Sequence, residues 1–157
     1  MKFLELKIIP PFQVLILGFL AWSVHHRLPW FHHHTGHEYL VSRILLLVAL
    51  AMVVVAVYQF WRHKTTVNPV KLGETRALIT DGIFSWSRNP IYLADVLILL
   101  AWVIWLGNWL ALILIPTFVL LITRLQILPE ERMLAEKFPL EFRQYTARTG
   151  RWLGRSS

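Results

Sequence analysis

The sequence predicts an all-α membrane protein with about four transmembrane helices, a C-terminal helical hairpin and a cytoplasmic amphipathic helical tail. Two observations lead to this prediction. Hydrophobic residues make up 56% of the chain, with eight tryptophans and a positive mean hydropathy. Long apolar stretches also alternate with basic segments, as in polytopic membrane proteins. A length of 157 residues allows one domain, in which 1–61 supply two spans and 68–153 form the core.

Four apolar stretches are the candidate spans, at 8–24, 39–61, 90–106 and 109–123. Gly107-Asn108 separates the last two and is a tight-turn signal, so we expect an antiparallel hairpin there. Both hairpin stretches are short for a hydrocarbon core of ~30 Å. Arg43, inside the second stretch, is explained by snorkelling of its guanidinium to the interface.

The distribution of basic residues predicts the orientation of the spans. The segment 62–88 and the tail after residue 123 hold twelve of the sixteen Lys and Arg residues, whereas the 107–108 turn holds none. We therefore expect both termini and the segment 62–88 to be cytoplasmic, in a bacterial or archaeal inner membrane. Two polar blocks, 80–92 and 129–145, then lie on the same side of the membrane and can form one site.

Composition excludes several classes of function. The net charge of +7 fits basic segments that face anionic lipid, and no basic–aromatic module supports nucleic-acid binding. The absence of cysteine excludes disulfides, iron–sulfur clusters, thiolate zinc sites and covalent cysteine catalysis. No glycine-rich loop is present, so a nucleotide-like cofactor must be held in another way. The sequence leaves the oligomeric state open.

Histidines crowd the first loop, at positions 25, 26, 32, 33, 34 and 37. His33 and His37 stand four residues apart, a spacing that binds a metal if the segment is helical. The alternative is polar filling of a loop. We favour the alternative and predict no metal site, because this loop falls opposite the two polar blocks and Glu38 is its one nearby carboxylate.

The first polar block ends with a helix-start signature. Asn89 is a good capping residue, and Pro90 suits the first helical position because it needs no hydrogen-bond acceptor. The free N–H groups of such a helix end favour a carboxylate or phosphate. The signature is also compatible with an ordinary helix start, and Arg88 with a lipid anchor. Asp95, about one turn further on, is open to a structural or a functional role.

The second polar block begins after Pro129. Glu130 and Glu131 are expected in the first turn of a new helix, where they either complement its dipole or hold a cationic or hydroxyl-rich ligand. Apolar residues then recur at helical spacing, at Leu134, Phe138, Phe142 and Tyr145. This pattern predicts an amphipathic helix lying on the membrane surface and broken or bent at Pro139.

Together the two blocks resemble the integral-membrane methyltransferases related to isoprenylcysteine carboxyl methyltransferase and the phospholipid methyltransferases. The resemblance covers about 68–153. The residues in register are Leu78-Ile79-Thr80, Gly82, Phe84, Arg88-Asn89-Pro90, Tyr92, Glu130-Glu131, Phe138 and Tyr145. Gln126 departs from the family at a position that often holds an arginine near the substrate.

The resemblance implies binding of S-adenosyl-L-methionine by Arg76, Ala77, Leu78, Ile79, Phe84, Asn89, Pro90, Ile91, Tyr92 and Glu130. It also implies catalytic roles for Arg88, Tyr92 and Glu130, and acceptor-binding roles for Gln126 and Asp95. The physical chemistry of the residues agrees, since a helix N-terminus takes a carboxylate, aromatic rings face a sulfonium and a glutamate accepts hydrogen bonds from an ammonium.

The expected function is therefore methyl transfer from S-adenosyl-L-methionine to a lipophilic acceptor in the bilayer. A prenylcysteine-like carboxylate, a phospholipid amine and a small thiol or lipid all fit the sequence. Two alternatives remain open: a nicotinamide-dependent membrane reductase of the steroid-reductase type, and a lipid-binding membrane protein without enzymatic activity.

Overall fold

The structure, a computed structural model, describes residues 9–32, 36–63 and 77–154. Six α-helices are formed in these ranges: α1 Pro10–Arg27, α2 Glu38–Arg62, α3 Pro90–Leu106, α4 Leu114–Ile122, α5 Leu128–Lys137 and α6 Pro139–Arg148. Short 3-10 turns occupy Pro29–Phe31, Gly82–Ser85 and Trp109–Ile113, and a π-helical turn occupies Thr123–Ile127. Since no strand is formed within the described ranges, the all-α class is confirmed.

Helices lie at all four predicted spans, and two of them are long and apolar enough to cross a membrane. These two are α2, with 25 residues, and the continuous helical run Trp109–Lys137, with 29. α3 is strongly apolar but has 17 residues, and the last turn of α1 carries His25, His26 and Arg27. With the apolar composition, these helices identify an integral membrane protein.

α3 lies at the centre of the bundle and packs against α1, α2 and α4. The buried face of α2 carries small side chains at Ser42, Ala49 and Ala56, which allow the two helix backbones to approach closely. Most other side chains of α2 are aliphatic, and many of them are exposed, as in a helix that contacts lipid. On the other side of α3, the Trp102 indole N–H donates to the Gly18 carbonyl of α1 at 3.0 Å.

The predicted hairpin between the third and fourth spans is confirmed. Gly107 ends α3 with a φ of 64°, in the left-handed region that favours glycine. The buried Asn108 side chain accepts from the Leu110 N–H at 3.1 Å and donates to the Leu28 carbonyl at 3.0 Å. One amide thus caps the next helical turn and joins the hairpin to the end of α1.

Glu130 and Glu131 lie in the first turn of α5 as expected, and α5 continues the helical run of the fourth span without a break, from Trp109 to Lys137. Pro129 has no N–H for the carbonyl four residues before it, which normally interrupts an α-helix. Here the π-helical turn Thr123–Ile127 lies directly before it, with the Leu128 N–H donating to the Thr123 carbonyl. This wider turn lets one helix carry the chain from the membrane into the second polar block.

The C-terminal tail is helical and bends at Pro139 as predicted, and its apolar face is covered in part by the protein itself. Phe142 and Tyr145 of α6 are buried against Ile79 and Phe84. The Tyr145 hydroxyl donates to the Phe84 carbonyl at 2.7 Å. The periodic apolar face therefore covers another part of the protein, the segment just before α3.

Candidate functional site

The candidate site lies where the start of α3 meets α5. Tyr92, one turn into α3, is 8% exposed, and its hydroxyl donates a hydrogen bond to Oε1 of Glu130. The two residues are 38 positions apart in the sequence. The hairpin and the uninterrupted fourth helix place them together, and their side chains form the polar centre of an otherwise apolar junction.

Asn89 precedes α3 as expected, but its side chain does not cap the helix. Its Nδ2 instead donates to the Arg151 carbonyl at 3.0 Å, and its backbone N–H donates to Ser87 Oγ at 3.0 Å. The capping prediction is therefore wrong, because the returning C-terminal tail engages the amide. As a result, the first N–H groups of α3, those of Ile91 and Tyr92, donate no hydrogen bond to the Asn89 side chain.

Glu131 points away from Tyr92, the partner of Glu130. Its ion pairs join three segments of the chain: α5, the turn before α3 and the C-terminal tail. Its carboxylate lies 3.1 Å from Arg88 Nη1, and Arg151 donates to it through Nε at 3.1 Å and Nη2 at 2.7 Å. Burial lowers the pKa of Arg88, and Glu131 opposes that effect; the hydrogen bonds that Arg151 donates to Glu131 raise the pKa of Arg151. Both arginines remain charged. Glu131 thus has a cross-linking role beyond complementing a helix dipole.

Residues 149–154, here named the C-terminal strap, lie along the polar turn before α3. Four hydrogen bonds join the two segments: Arg88 N to Gly150 O at 3.1 Å, Asn89 Nδ2 to Arg151 O at 3.0 Å, Gly154 N to Trp86 O at 3.0 Å, and Thr149 Oγ1 to Ser85 O at 3.4 Å. Two of these bonds join backbone groups only, so no pattern of side chains in the sequence predicts those two bonds. The strap fixes the turn that leads into α3.

Arg88 is 12% exposed at its side chain and contacts two protein groups. Besides its ion pair with Glu131, its guanidinium lies 5.9 Å from the centre of the Phe142 ring. This arrangement holds the charge in place beside the start of α3. Its catalytic role stays a proposal.

The segment before α3, predicted to bind the cofactor, packs between α2 and α6. Ile79 and Phe84 are buried, and Leu78 is partly buried in the same cluster. The Phe84 ring meets Phe60 of α2 edge-on, with centroids 5.4 Å apart. Arg76 lies outside the described residues.

Asp95 and Gln126 are both buried, at 9% and 1% exposure. Asp95 follows Tyr92 by three positions in α3, so the two side chains share one face of the helix. Its Oδ2 is buried and lacks a hydrogen-bond partner among the described residues. A carboxylate oxygen in this state is a candidate contact for a polar group of a ligand. Gln126 lies in the π-helical turn, a feature often found at functional sites.

Sequence reasoning missed two residues that shape this site. Arg151 neutralises Glu131 from the C-terminal strap, and Gln59 of α2 contacts the turn at Asp81 and Ile83. Arg151 gave no local signal. Gln59 did, since it is an isolated amide near the end of an aliphatic span.

The histidine-rich loop is only partly described. His33, one of the two candidate ligands, lies outside the described residues. His25 and His32 stack with ring centroids 4.1 Å apart, and His32 Nε2 lies 2.8 Å from the His25 carbonyl oxygen. Within the described ranges, no three His, Asp or Glu side chains are grouped in a way that holds a metal.

Residues 37–141 match the phospholipid methyltransferase family, which is more than half of the chain. The chain therefore belongs to this family, and the resemblance inferred from the two polar blocks is confirmed. The match begins at α2 and ends within α6, so it includes Tyr92, Glu130 and also Gln59.

Among individual proteins, the chain is similar to an uncharacterised protein of Haemophilus influenzae. The two are 48% identical over 63 residues, which is 40% of this chain and 100% of the other. No solved structure matches the chain.

The bond from Asn89 to the C-terminal strap predicts a stability effect. We expect Asn89→Ala to destabilise the native protein by about 1 kcal/mol, because one partly buried hydrogen bond is lost. Thermal unfolding in detergent measures this effect. Ser85→Ala is the matched control, since it removes an exposed hydroxyl that bonds only within its own turn, to the Gly82 carbonyl. Equal melting temperatures for Asn89→Ala and the native protein would contradict a strap held by this amide.

Proposed function

We propose that this protein transfers a methyl group from S-adenosyl-L-methionine to a lipophilic acceptor held in the membrane. The observation that supports it most directly is the contact between Tyr92 and Glu130 beside the uncapped start of α3. Membership of the phospholipid methyltransferase family supports the same cofactor.

The residues at this junction fit S-adenosyl-L-methionine. The N–H groups of Ile91 and Tyr92, with the positive end of the α3 dipole, suit its carboxylate. Glu130 suits its ammonium or its ribose hydroxyls, because a carboxylate accepts charge-assisted hydrogen bonds. The Tyr92 and Phe84 rings supply faces for the adenine and the sulfonium. When bound, the cofactor supplies an electrophilic methyl group.

The residues of this chain position the reacting groups and exclude water. In methyl transfer a lone pair of the acceptor attacks the methyl carbon while the carbon–sulfur bond breaks and sulfur keeps the bonding pair. The step needs in-line alignment and exclusion of water more than acid–base groups. Tyr92 orients Glu130 by its hydrogen bond, and Arg88, held by Glu131, fixes the turn beside the cofactor.

We further propose an amine of a phospholipid-like molecule as the acceptor class. The buried Oδ2 of Asp95 can accept a hydrogen bond from an amine. Gln126 has a neutral amide where an arginine would favour a carboxylate. The family's description as phospholipid methyltransferases points in the same direction.

Ligand binding separates the proposed function from its alternatives. Calorimetry on the purified protein in detergent should show binding of S-adenosyl-L-methionine and S-adenosylhomocysteine and no binding of a reduced nicotinamide cofactor. A nicotinamide-dependent reductase would reverse this result, and a lipid-binding protein would bind neither cofactor. Transfer of a labelled methyl group to extracted membrane lipids then identifies the acceptor, with amine lipids labelled and carboxylate lipids unlabelled.

The proposed topology gives a separate prediction. The chain has no native cysteine, so single introduced cysteines report the accessible side without background. In intact cells we expect a membrane-impermeant maleimide to label Trp30→Cys, an 83% exposed position in the first loop, and to leave Gln144→Cys in α6 unlabelled. Gln144→Cys should become reactive after permeabilisation. Labelling of Gln144→Cys from outside would overturn a cytoplasmic site.

A further inference from the structure

Gln59 is an isolated amide on the buried face of α2, where it is 7% exposed. Both ends of this amide bind backbone of the turn before α3. Nε2 donates to the Asp81 carbonyl at 3.2 Å, and Oε1 accepts from the Ile83 N–H at 3.2 Å. The side chain therefore spans Gly82 and determines the backbone path on both sides of it.

Gly82 has the backbone conformation and leaves the free space that the contact with Gln59 requires. Its φ is +54°, a conformation that favours glycine, and a Cβ at this position would lie 1.9 Å from Gln59 Nε2 and 2.8 Å from Gln59 Cδ. Any side chain there would displace the amide. Gln59 and Gly82 thus form a complementary pair, in which the absence of one side chain makes room for the other.

Contacts around this pair extend the same interface. His63, one helical turn after Gln59, lies 3.3 Å from the Asp81 carboxylate. Phe60 packs edge-on against Phe84, and Ala56 is completely buried in the same cluster. The last turns of α2 therefore form the surface on which the turn Gly82–Ser85 and the segment before it are seated.

The cost of a buried amide in a membrane-spanning helix argues for a specific use. A polar group removed from water costs free energy unless it is hydrogen-bonded, and polar residues within spans usually have a functional reason. Spanning alone would be served as well by an aliphatic residue, as at most other positions of α2. The hydrogen bonds of Gln59 hold the segment that leads to Asn89 and Tyr92.

We propose that Gln59 is a positioning residue of the cofactor site, acting from α2 through the backbone of residues 81–83. It touches no group that we assign to the cofactor or the acceptor, so its effect is on where Phe84 and the start of α3 lie. The identity of the bound ligand in this inference rests on the proposed function. The inference that Gln59 holds the turn in place does not rest on the proposed function.

Two readouts test the inference: the Kd of S-adenosylhomocysteine by calorimetry, and hydrogen exchange of the backbone amides at 79–85, both on the full chain in detergent. Gln59→Leu keeps the side-chain size and removes both hydrogen bonds. We expect it to raise the Kd at least tenfold and to speed exchange at 79–85, with the melting temperature lowered only slightly. Ser42→Ala is the matched control, because Ser42 is a buried polar residue at the other end of α2. It should leave both readouts within twofold of native.

A double-variant cycle tests the complementarity of the pair. Gly82→Ala alone should raise the Kd at least tenfold, since its methyl group displaces the Gln59 amide. In a Gln59→Ala background, the factor by which Gly82→Ala raises the Kd should be at least three times smaller than in the native background. The clashing atoms are then gone, and only the backbone strain remains. Additive effects would contradict a direct contact between the two positions.

The outcomes separate this inference from the proposed function. Faster exchange at 79–85 with an unchanged Kd in Gln59→Leu would overturn the positioning role and leave a merely structural contact. Unchanged exchange would overturn the seating of the turn itself. Failure of the native chain to bind S-adenosylhomocysteine would overturn the proposed function, and exchange in Gln59→Leu would still decide whether Gln59 holds the turn.

Discussion

Glu130→Ala should weaken binding of S-adenosylhomocysteine by roughly 100-fold, because a charge-assisted hydrogen bond from the ligand and the hydrogen bond to Tyr92 are lost together. We expect the variant to insert into the membrane and to purify like the native protein, since Glu130 is partly exposed and forms no ion pair within the described part of the chain. Calorimetry in one detergent measures the effect.

Two further variants identify the source of this loss. Tyr92→Phe removes only the neutral partner of Glu130, so it should weaken binding by about fivefold to tenfold. Glu136→Ala removes an exposed carboxylate from the same helix and serves as the matched control, with no expected change. Equal, small effects for Glu130→Ala and Glu136→Ala would remove Glu130 from the cofactor site.

Glu131→Ala is expected to have its main effect on stability. The change leaves Arg88, 12% exposed, and Arg151, 36% exposed, facing each other without the carboxylate that joins them. Breaking a fully buried ion pair costs about 3–5 kcal/mol, and the partial exposure of Arg151 reduces the expected cost to about 2–3 kcal/mol. A lowering of the melting temperature by about 5–10 °C should follow.

Comparison with Glu136→Ala again provides the reference, since an exposed substitution changes stability by less than about 0.5 kcal/mol. Release of the C-terminal strap should also make the chain after Tyr145 more sensitive to proteases in Glu131→Ala. A native melting temperature for this variant would show that the two ion pairs add nothing to stability, and the cross-linking role would be lost. Cofactor affinity should fall less in Glu131→Ala than in Glu130→Ala.

The sequence by itself determined the helical class, the positions of the four apolar helices and the hairpin turn. Each depends on local information: apolar runs of sufficient length, and a glycine followed by asparagine at 107–108. The family was also evident from sequence, because Arg88-Asn89-Pro90, Tyr92 and Glu130-Glu131 keep a specific spacing. The distribution of basic residues predicted that the two polar blocks lie on the same side of the membrane and can form one site.

Tertiary structure alone decided how individual polar groups are used. Asn89 has the residue type of a helix cap, yet the C-terminal strap offers its amide a carbonyl that lies 62 positions away in the sequence. Glu130 and Glu131 are neighbours with the same chemistry, but successive helical residues point in different directions, so one meets Tyr92 and the other meets two arginines.

The apolar face of α6 likewise separates what the sequence determined from what only the tertiary structure decided. Its helical spacing predicted an amphipathic helix, but spacing does not say what covers the apolar face, and both a membrane surface and the segment at 79–84 offer apolar groups. Only the fold placed Phe142 and Tyr145 against Ile79 and Phe84. Partners distant in the chain depend on the packing of whole helices, and that packing is set by the complete buried surface rather than by any local pattern.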